Sequence, residues 1–227
     1  MTRITDVILS LISILILLPV FLPVILILRV TGEGEVFYKQ LRIGRNNQTF
    51  YVLKFATMLK DSPNLGTGTI TVKDDPRVLP FGKFLRKTKI NELPQLFNIL
   101  FGEMSVIGPR PLTKENFEMY SDPGQIKIGK IRPGLSGLGS IFFRSEDLFL
   151  SNRKDSKAFY RESIAPYKEA LEIWYADNTS YVLYWKLIIL TIFAVISPET
   201  FRVHKYIEEL PTIPSVLRET GNERRRH

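Results

Sequence analysis

Residues 85–111 hold Arg86, Lys87, Lys89, Asn91 and Glu92, and end on the tripeptide Pro109-Arg110-Pro111. Cations around a carboxylate are what a diphosphate requires: positive charge to bind it and an acid to hold a divalent metal. Arg110 is the cation with least freedom to lose, because prolines on both sides restrict its backbone. A guanidinium fork offered from a stiff loop suits bidentate contact with phosphate. Arg132 lies in a similar setting, Arg132-Pro133-Gly134. Lys87 and Lys89 read as ordinary solvated charges.

Leu93, Leu96, Phe97 and Leu100 fall on one face of a helix predicted over 92–100. Asn91 is then its N-cap and Glu92 a first-turn acid that suits the helix dipole, which accounts for both residues without chemistry. A helix start also attracts phosphate. A carboxylate there helps only if a divalent cation bridges it to the anion, and hard cations prefer oxygen ligands. On that second reading Glu92 is the metal candidate.

Residues 36–40 and 49–55 read as short strands joined by a turn at Gly44, Asn46 and Asn47. A loop at 61–68 precedes a further extended piece at 69–72. Helical spacing returns at 80–89 and again at 155–177, where Pro166 should bend the helix. Residues 129–139 read as a loop. The pattern predicts an α/β domain, mostly helical with a few short strands.

Between Val7 and Leu28 no residue is charged. That length can cross a hydrocarbon core of about 30 Å, so a plain transmembrane anchor is one reading. Pro19 and Pro23 oppose it, because each removes a backbone donor and together they should bend or break the helix. Arg3 before the run and Arg29, Lys39, Arg42 and Arg45 after it fit a hairpin that leaves by the face it entered. Residues 181–196 suit a helix in the membrane interface, with Lys186 among Tyr181, Tyr184, Trp185 and Phe193, or equally a core helix with Lys186 reaching water. The net charge of +8 favours anionic headgroups and phosphates. No helix-turn-helix or zinc-finger pattern supports nucleic acid as a partner. The chain has no cysteine and only two histidines, which excludes disulfides and thiolate sites and disfavours histidine-based metal centres.

The residues of 85–111, with Gly34-Glu35-Val36-Phe37-Tyr38-Lys39-Gln40, Lys54-Phe55-Ala56-Thr57-Met58, Asp75-Pro76-Arg77-Val78 and Arg132-Pro133-Gly134-Leu135-Ser136-Gly137, resemble the bacterial sugar transferases, specifically the small monotopic phosphoglycosyl transferases. A looser late block holds Tyr175, Asn178, Ser180, Lys186 and Thr191. The resemblance implies a membrane-associated monotopic domain with a re-entrant N-terminal helix broken near Pro19, with Pro23 beside it. It implies residues 1–30 as a helix-break-helix membrane segment, 31–200 as a catalytic domain and 201–227 as a tail. The implied reaction moves a phosphosugar from a nucleotide diphosphosugar, a UDP-sugar by preference, to polyprenyl (undecaprenyl) phosphate. Nucleoside monophosphate is released, as a first membrane step of polysaccharide assembly. Carried over, Glu92 holds Mg2+ and acts with Arg86 and position 91, while Lys54, Pro109, Arg110, Pro111 and Arg132 bind substrate. The implied location is the bacterial inner membrane, with the catalytic domain on the cytoplasmic face, membrane lipid as a partner and a homo-oligomer compatible.

The chain departs from the family at Asn91, where a nucleophilic aspartate is usual, and at Ala56 and Leu18. A neutral amide is a poor nucleophile beside a carboxylate. Three accounts stay open: Glu92 as nucleophile, direct transfer between substrates, or an impaired enzyme. A membrane-docked binding or scaffold protein of the same fold is the alternative from another class.

Overall fold

The computed structural model describes residues 2–31, 33–62, 75–144, 146–150, 155–196 and 203–218. The extended piece expected at 69–72 lies outside them. The chain forms two compact units. One is built on Ile4–Leu41 with Tyr51–Gly102, the other on Met1–Arg3, Arg42–Phe50 and Glu103–His227.

In the first unit, helix α1 (Arg3–Val30) runs through Pro19 and Pro23 as one helix, so of the expected bend or break the break does not occur. Spacing explains why two prolines are tolerated. The donor lost at Pro23 would have met the carbonyl of Pro19, so both missing bonds fall on one side of the helix. Both prolines are exposed, on the side that carries Leu15, Leu22 and Leu26. Under a quarter of the apolar window of α1 is buried, and its mean hydropathy is 3.1. A core helix of a water-soluble domain would be mostly covered; α1 is long and apolar enough to cross a membrane.

The expected strands form as β1 (Phe37–Ile43) and β2 (Thr49–Phe55), which pair in a two-stranded sheet. Asn46 and Asn47 take the positive φ values of 57° and 58° that their turn needs. Helices α2 (Pro80–Lys87) and α3 (Gln95–Phe101) complete this unit. Its core sets Phe21, Val24 and Leu28 of α1 against Phe55 and Leu85. Phe55 is the hub, 5.5 Å from the Phe21 ring and 5.6 Å from Phe37.

The second unit contains two strands that the sequence reading did not assign, the second of them inside the expected loop at 129–139. β3 (Ser105–Ile107) pairs in parallel with β4 (Gly134–Ser136), Ser105 opposite Gly134 and Ile107 opposite Ser136. Each is three residues long, too short for alternation to show in sequence. The intervening helices are α4 (Lys114–Phe117), capped by Thr113, and α5 (Asp122–Gly129), capped by Ser121. After β4 come α6 (Leu138–Phe142), α7 (Glu146–Leu150) and α8 (Ser156–Phe159). A π-turn at Tyr160–Ile164 then leads into α9 (Ala165–Asp177). The bend expected near Pro166 is this π-turn, which places the proline in the first turn of α9, where its missing donor costs nothing.

Helix α10 (Tyr181–Ile196) packs one face in the core, as the second reading of its sequence expects, and leaves an apolar face exposed. Leu183, Tyr184, Leu187, Leu190 and Ala194 are buried in the core, whereas Val182, Ile189, Phe193 and Ile196 are exposed. Burying Tyr184 or Leu187 is worth about 1.5–3 kcal/mol each, so the inner face alone anchors α10. Residues 203–218 pack on the same core through Val203, Ile207, Leu210 and Leu217. The Tyr167 hydroxyl lies 2.7 Å from His204 Nε2 and donates to the Pro211 carbonyl at 3.0 Å.

Candidate active site

Asn91 and Glu92 occupy a 3-10 turn, Ile90–Glu92, entered through Lys89 in the left-handed region at φ 62°. Helix α3 begins later, behind Pro94, with no side-chain cap. Asn91 is therefore not the expected N-cap, and Glu92 is not in the first turn of an α-helix. The helix start offers fewer free amides to an anion than expected. The amides of Leu93, Leu96 and Phe97 are already taken, donating to Ile90, Leu93 and Pro94 carbonyls at 3.0–3.1 Å. The physical reason is Pro94, which cannot donate and so splits the segment into a tight turn and a short helix.

What holds the turn is side-chain chemistry. Asn98, 1% exposed, donates to the Tyr51 carbonyl at 2.8 Å and accepts from the Leu53 amide at 2.9 Å. It completes the edge of β2 and fixes α3 against it. Lys54 follows on the same strand, donating to Gln40 Oε1 at 3.0 Å. On the other side, the α2 entry is pinned where the Leu79 amide donates to the Thr57 carbonyl at 3.0 Å.

Arg86, near the end of α2, shares an electrostatic group with Asp75, Arg77 and Glu92. Burial pulls its guanidinium below the ordinary value, with Asp75 and Glu92 opposing and Arg77 adding to the fall; arginine stays a cation regardless. Asp75 and Arg77 are both buried and form a two-point pair, Nε to Oδ1 at 2.9 Å and Nη2 to Oδ2 at 2.6 Å. Arg77 also donates to the Ser62 carbonyl at 2.7 Å. Asp75 was not among the sequence candidates, although the Asp-Pro-Arg spacing that forms the pair is visible there. Lys87 and Lys89 are exposed, in line with the solvated reading.

One polar atom in this turn is unsatisfied. Asn91 Oδ1 is buried without a hydrogen-bond partner, a state that normally costs about 1–3 kcal/mol. Among the described residues no three acidic or histidine side chains converge on a metal. Two adjacent oxygen donors, the Asn91 amide and the Glu92 carboxylate, nevertheless fit Mg2+, which usually takes one or two protein ligands and completes its shell with water and substrate phosphate.

The other sequence candidates belong to the second unit. Pro109, Arg110 and Pro111 follow β3, and Arg132 precedes β4. Here the backbone does the fixing. The Gly134 amide donates to the Pro109 carbonyl at 2.8 Å, and the Gly108 amide to the Ser136 carbonyl at 2.9 Å. A Cβ on Gly134 would stand 2.1 Å from the Gly108 nitrogen, and one on Gly108 would stand 2.4 Å from the Arg132 carbonyl oxygen. Only glycines permit this approach. Pro109 is buried and the Arg110 side chain exposed, as a presented guanidinium requires.

Beside Arg110 lies a buried ionic group that the sequence reading missed. On α9, Lys168 and Glu172 are 6% and 3% exposed, four residues apart on the face that also carries Leu171 and Tyr175. Lys168 reaches Glu146 at 2.6 Å. Burial lowers the Lys168 pKa, with Glu146 opposing. Burial raises Glu172 to about 8 against its hydrogen bonds from the Arg110 and Gly139 amides. A Lys–Glu pair on an apolar helical stripe was the available signal. The late block matched in sequence is structural: Tyr175 donates to the Ile107 carbonyl at 3.4 Å, Ser180 accepts from the Leu183 amide at 3.1 Å, and Thr191 lies 2.9 Å from Ser136.

A family model described as bacterial sugar transferase matches residues 1–198. The chain is 37% identical over 155 residues to the exopolysaccharide production protein ExoY of Sinorhizobium fredii, covering 62% of this chain and 68% of that one. It is 33% identical over 195 residues to the exopolysaccharide production protein PSS of Rhizobium leguminosarum bv. phaseoli, covering 84% and 92%. It is 36% identical over 143 residues to the UDP-glucose:undecaprenyl-phosphate glucose-1-phosphate transferase of Klebsiella pneumoniae, covering 61% of this chain and 30% of that protein.

Proposed function

The chain belongs to the bacterial sugar transferase family and is a phosphoglycosyl transferase, and from that premise we propose that it moves a phosphosugar from a UDP-sugar to undecaprenyl phosphate, releasing UMP. The observation that carries this reading is the 3-10 turn, where Glu92 interacts electrostatically with Arg86 and the Asn91 oxygen beside it in sequence is buried and unsatisfied. The Klebsiella relative, by its name, uses that class of donor and acceptor.

In this reading Arg86 and Arg110 each bind phosphate oxygens, and Arg132 and Lys54 add positive charge. Glu92 and Asn91 Oδ1 are the residues that would hold Mg2+, whose charge would offset that of the diphosphate. Charge stabilisation and positioning, more than covalent chemistry, are the main demands of phosphoryl transfer. Asn91 itself is no nucleophile.

The test is release of UMP by purified protein from a panel of UDP-sugars with undecaprenyl phosphate, and absence of release would leave a binding or scaffold protein. Intact mass after quenching with donor alone distinguishes the routes: a phosphosugar adduct assigns the nucleophile to Glu92, and no adduct assigns direct transfer. Asn91→Asp should keep or raise turnover and produce an adduct at position 91.

We also propose that α1, bent at Pro19 and Pro23 without leaving the helix, is a re-entrant membrane segment of the bacterial inner membrane, with the catalytic residues on the cytoplasmic face. The motive is its exposed apolar surface between basic flanks. Cysteines introduced at Arg3 and Asn47 should both resist an impermeant thiol reagent in intact cells; labelling at position 3 alone would make α1 a true span.

A further inference from the structure

We infer that Glu172 is a positioning residue that sets the Arg110 guanidinium by holding its backbone, an inference that rests on the proposal that Arg110 binds donor phosphate. Pro109 and Pro111 have no amide hydrogen, so the tripeptide has a single main-chain donor, the Arg110 N–H. The Glu172 carboxyl takes that donor together with the N–H of Gly139. Its Oε2 is buried without a partner, so Oε1 accepts both bonds. The approach is close: a Cβ on Gly139 would stand 2.5 Å from Glu172 Oε1.

Side-chain packing beside Arg110 is incomplete. Arg110, Glu172, Pro133 and Tyr120 line a cavity of about 20 Å³ beside the loop, room for roughly one water. The loop is therefore held by hydrogen bonds: the Pro109 carbonyl by Gly134, the Arg110 amide by Glu172. A buried carboxyl is a costly way to fill space, since an apolar side chain of similar size would enter more easily. The apolar replacement would leave two amides without this acceptor, one of them the tripeptide's own. Burial raises the Glu172 pKa to about 8, which favours a neutral acid whose carbonyl oxygen is the double acceptor.

The experiment is a double-mutant cycle on kcat/KM for UMP release, with melting temperatures recorded for every variant. Arg110→Ala should cost about tenfold to a hundredfold, and Glu172→Ala about tenfold. Glu172→Gln, which keeps the double acceptor, should recover most of that loss. In the Arg110→Ala background, Glu172→Ala should add less than about twofold. Equal factors in both backgrounds would mean a general structural role and would overturn the inference while leaving Arg110 in place. Wild-type activity of Arg110→Ala would overturn the reading of Arg110 and the inference together. Should Glu172→Ala fail to fold, Gly139→Ala displaces the same carboxyl and must show the same coupling to Arg110.

Discussion

The turn at 89–94 and the loop at 108–111 each carry charged groups that we propose bind phosphate, and they are built in opposite ways. The turn is held by side chains: the Asn98 bonds to β2 and the buried Asp75–Arg77 pair beside Arg86 and Glu92. It leaves one acceptor, Asn91 Oδ1, unmet. The loop is held by main chain, with glycine backbones in near contact and its carbonyl and amide both engaged. A site held through charge should respond sharply to charge and little to shape. A site held through close backbone approach should respond the other way.

The largest break in that comparison is Glu92→Gln. The shape is unchanged and the half-buried carboxylate loses only its charge, so kcat should fall about 10²–10³-fold with the melting temperature nearly constant. Full activity, or full activity in excess chelator, would remove Glu92 from the site. Gly134→Ala probes the opposite case, adding a methyl 2.1 Å from the Gly108 nitrogen and 2.4 Å from the Ser136 oxygen. Overpacking of this kind costs about 1–3 kcal/mol, or a melting temperature lower by roughly 3–10 °C. Unchanged melting would show that the loop yields and that main-chain contact is not what fixes it.

The smallest effect sharpens the loop's dependence on Glu172. Its carboxyl rises from 4.5 to about 8 on folding, so the folded chain keeps a proton that the unfolded chain releases in that interval. Stability then declines as pH rises from about 4.5 through 8. The groups facing it are Lys168, which burial shifts downward, Tyr120, which burial shifts upward, and Arg110. Glu172→Gln removes only the glutamate's contribution, so stability measured by denaturant titration should be flatter across that window than in the wild type. Parallel curves would mean that Glu172 does not titrate there.

Several local features of the candidate site could be read directly. The mutual nearness of Arg86 and Glu92, the stiffness of Pro109-Arg110-Pro111, the β1–β2 turn and the apolar character of α1 are local properties, set by residue type and spacing of a few positions. The sequence reading erred where a local rule had two outcomes. Asn before Glu is a cap only if a helix starts there, and Pro94 moved that start. Prolines at 19 and 23 weaken a helix, but their four-residue spacing let α1 continue. Residues 105–107 and 134–136 are too short to announce themselves as strands, and pair only because Gly108 and Gly134 let distant backbones meet. Sequence alone determined the chemical inventory and the rigid tripeptide. Tertiary structure alone decided that Asp75 stands beside Arg86 and that Glu172 receives the Arg110 amide. Those contacts join residues far apart along the chain, and burial, which sets the strength and protonation of both, exists only once the chain has folded.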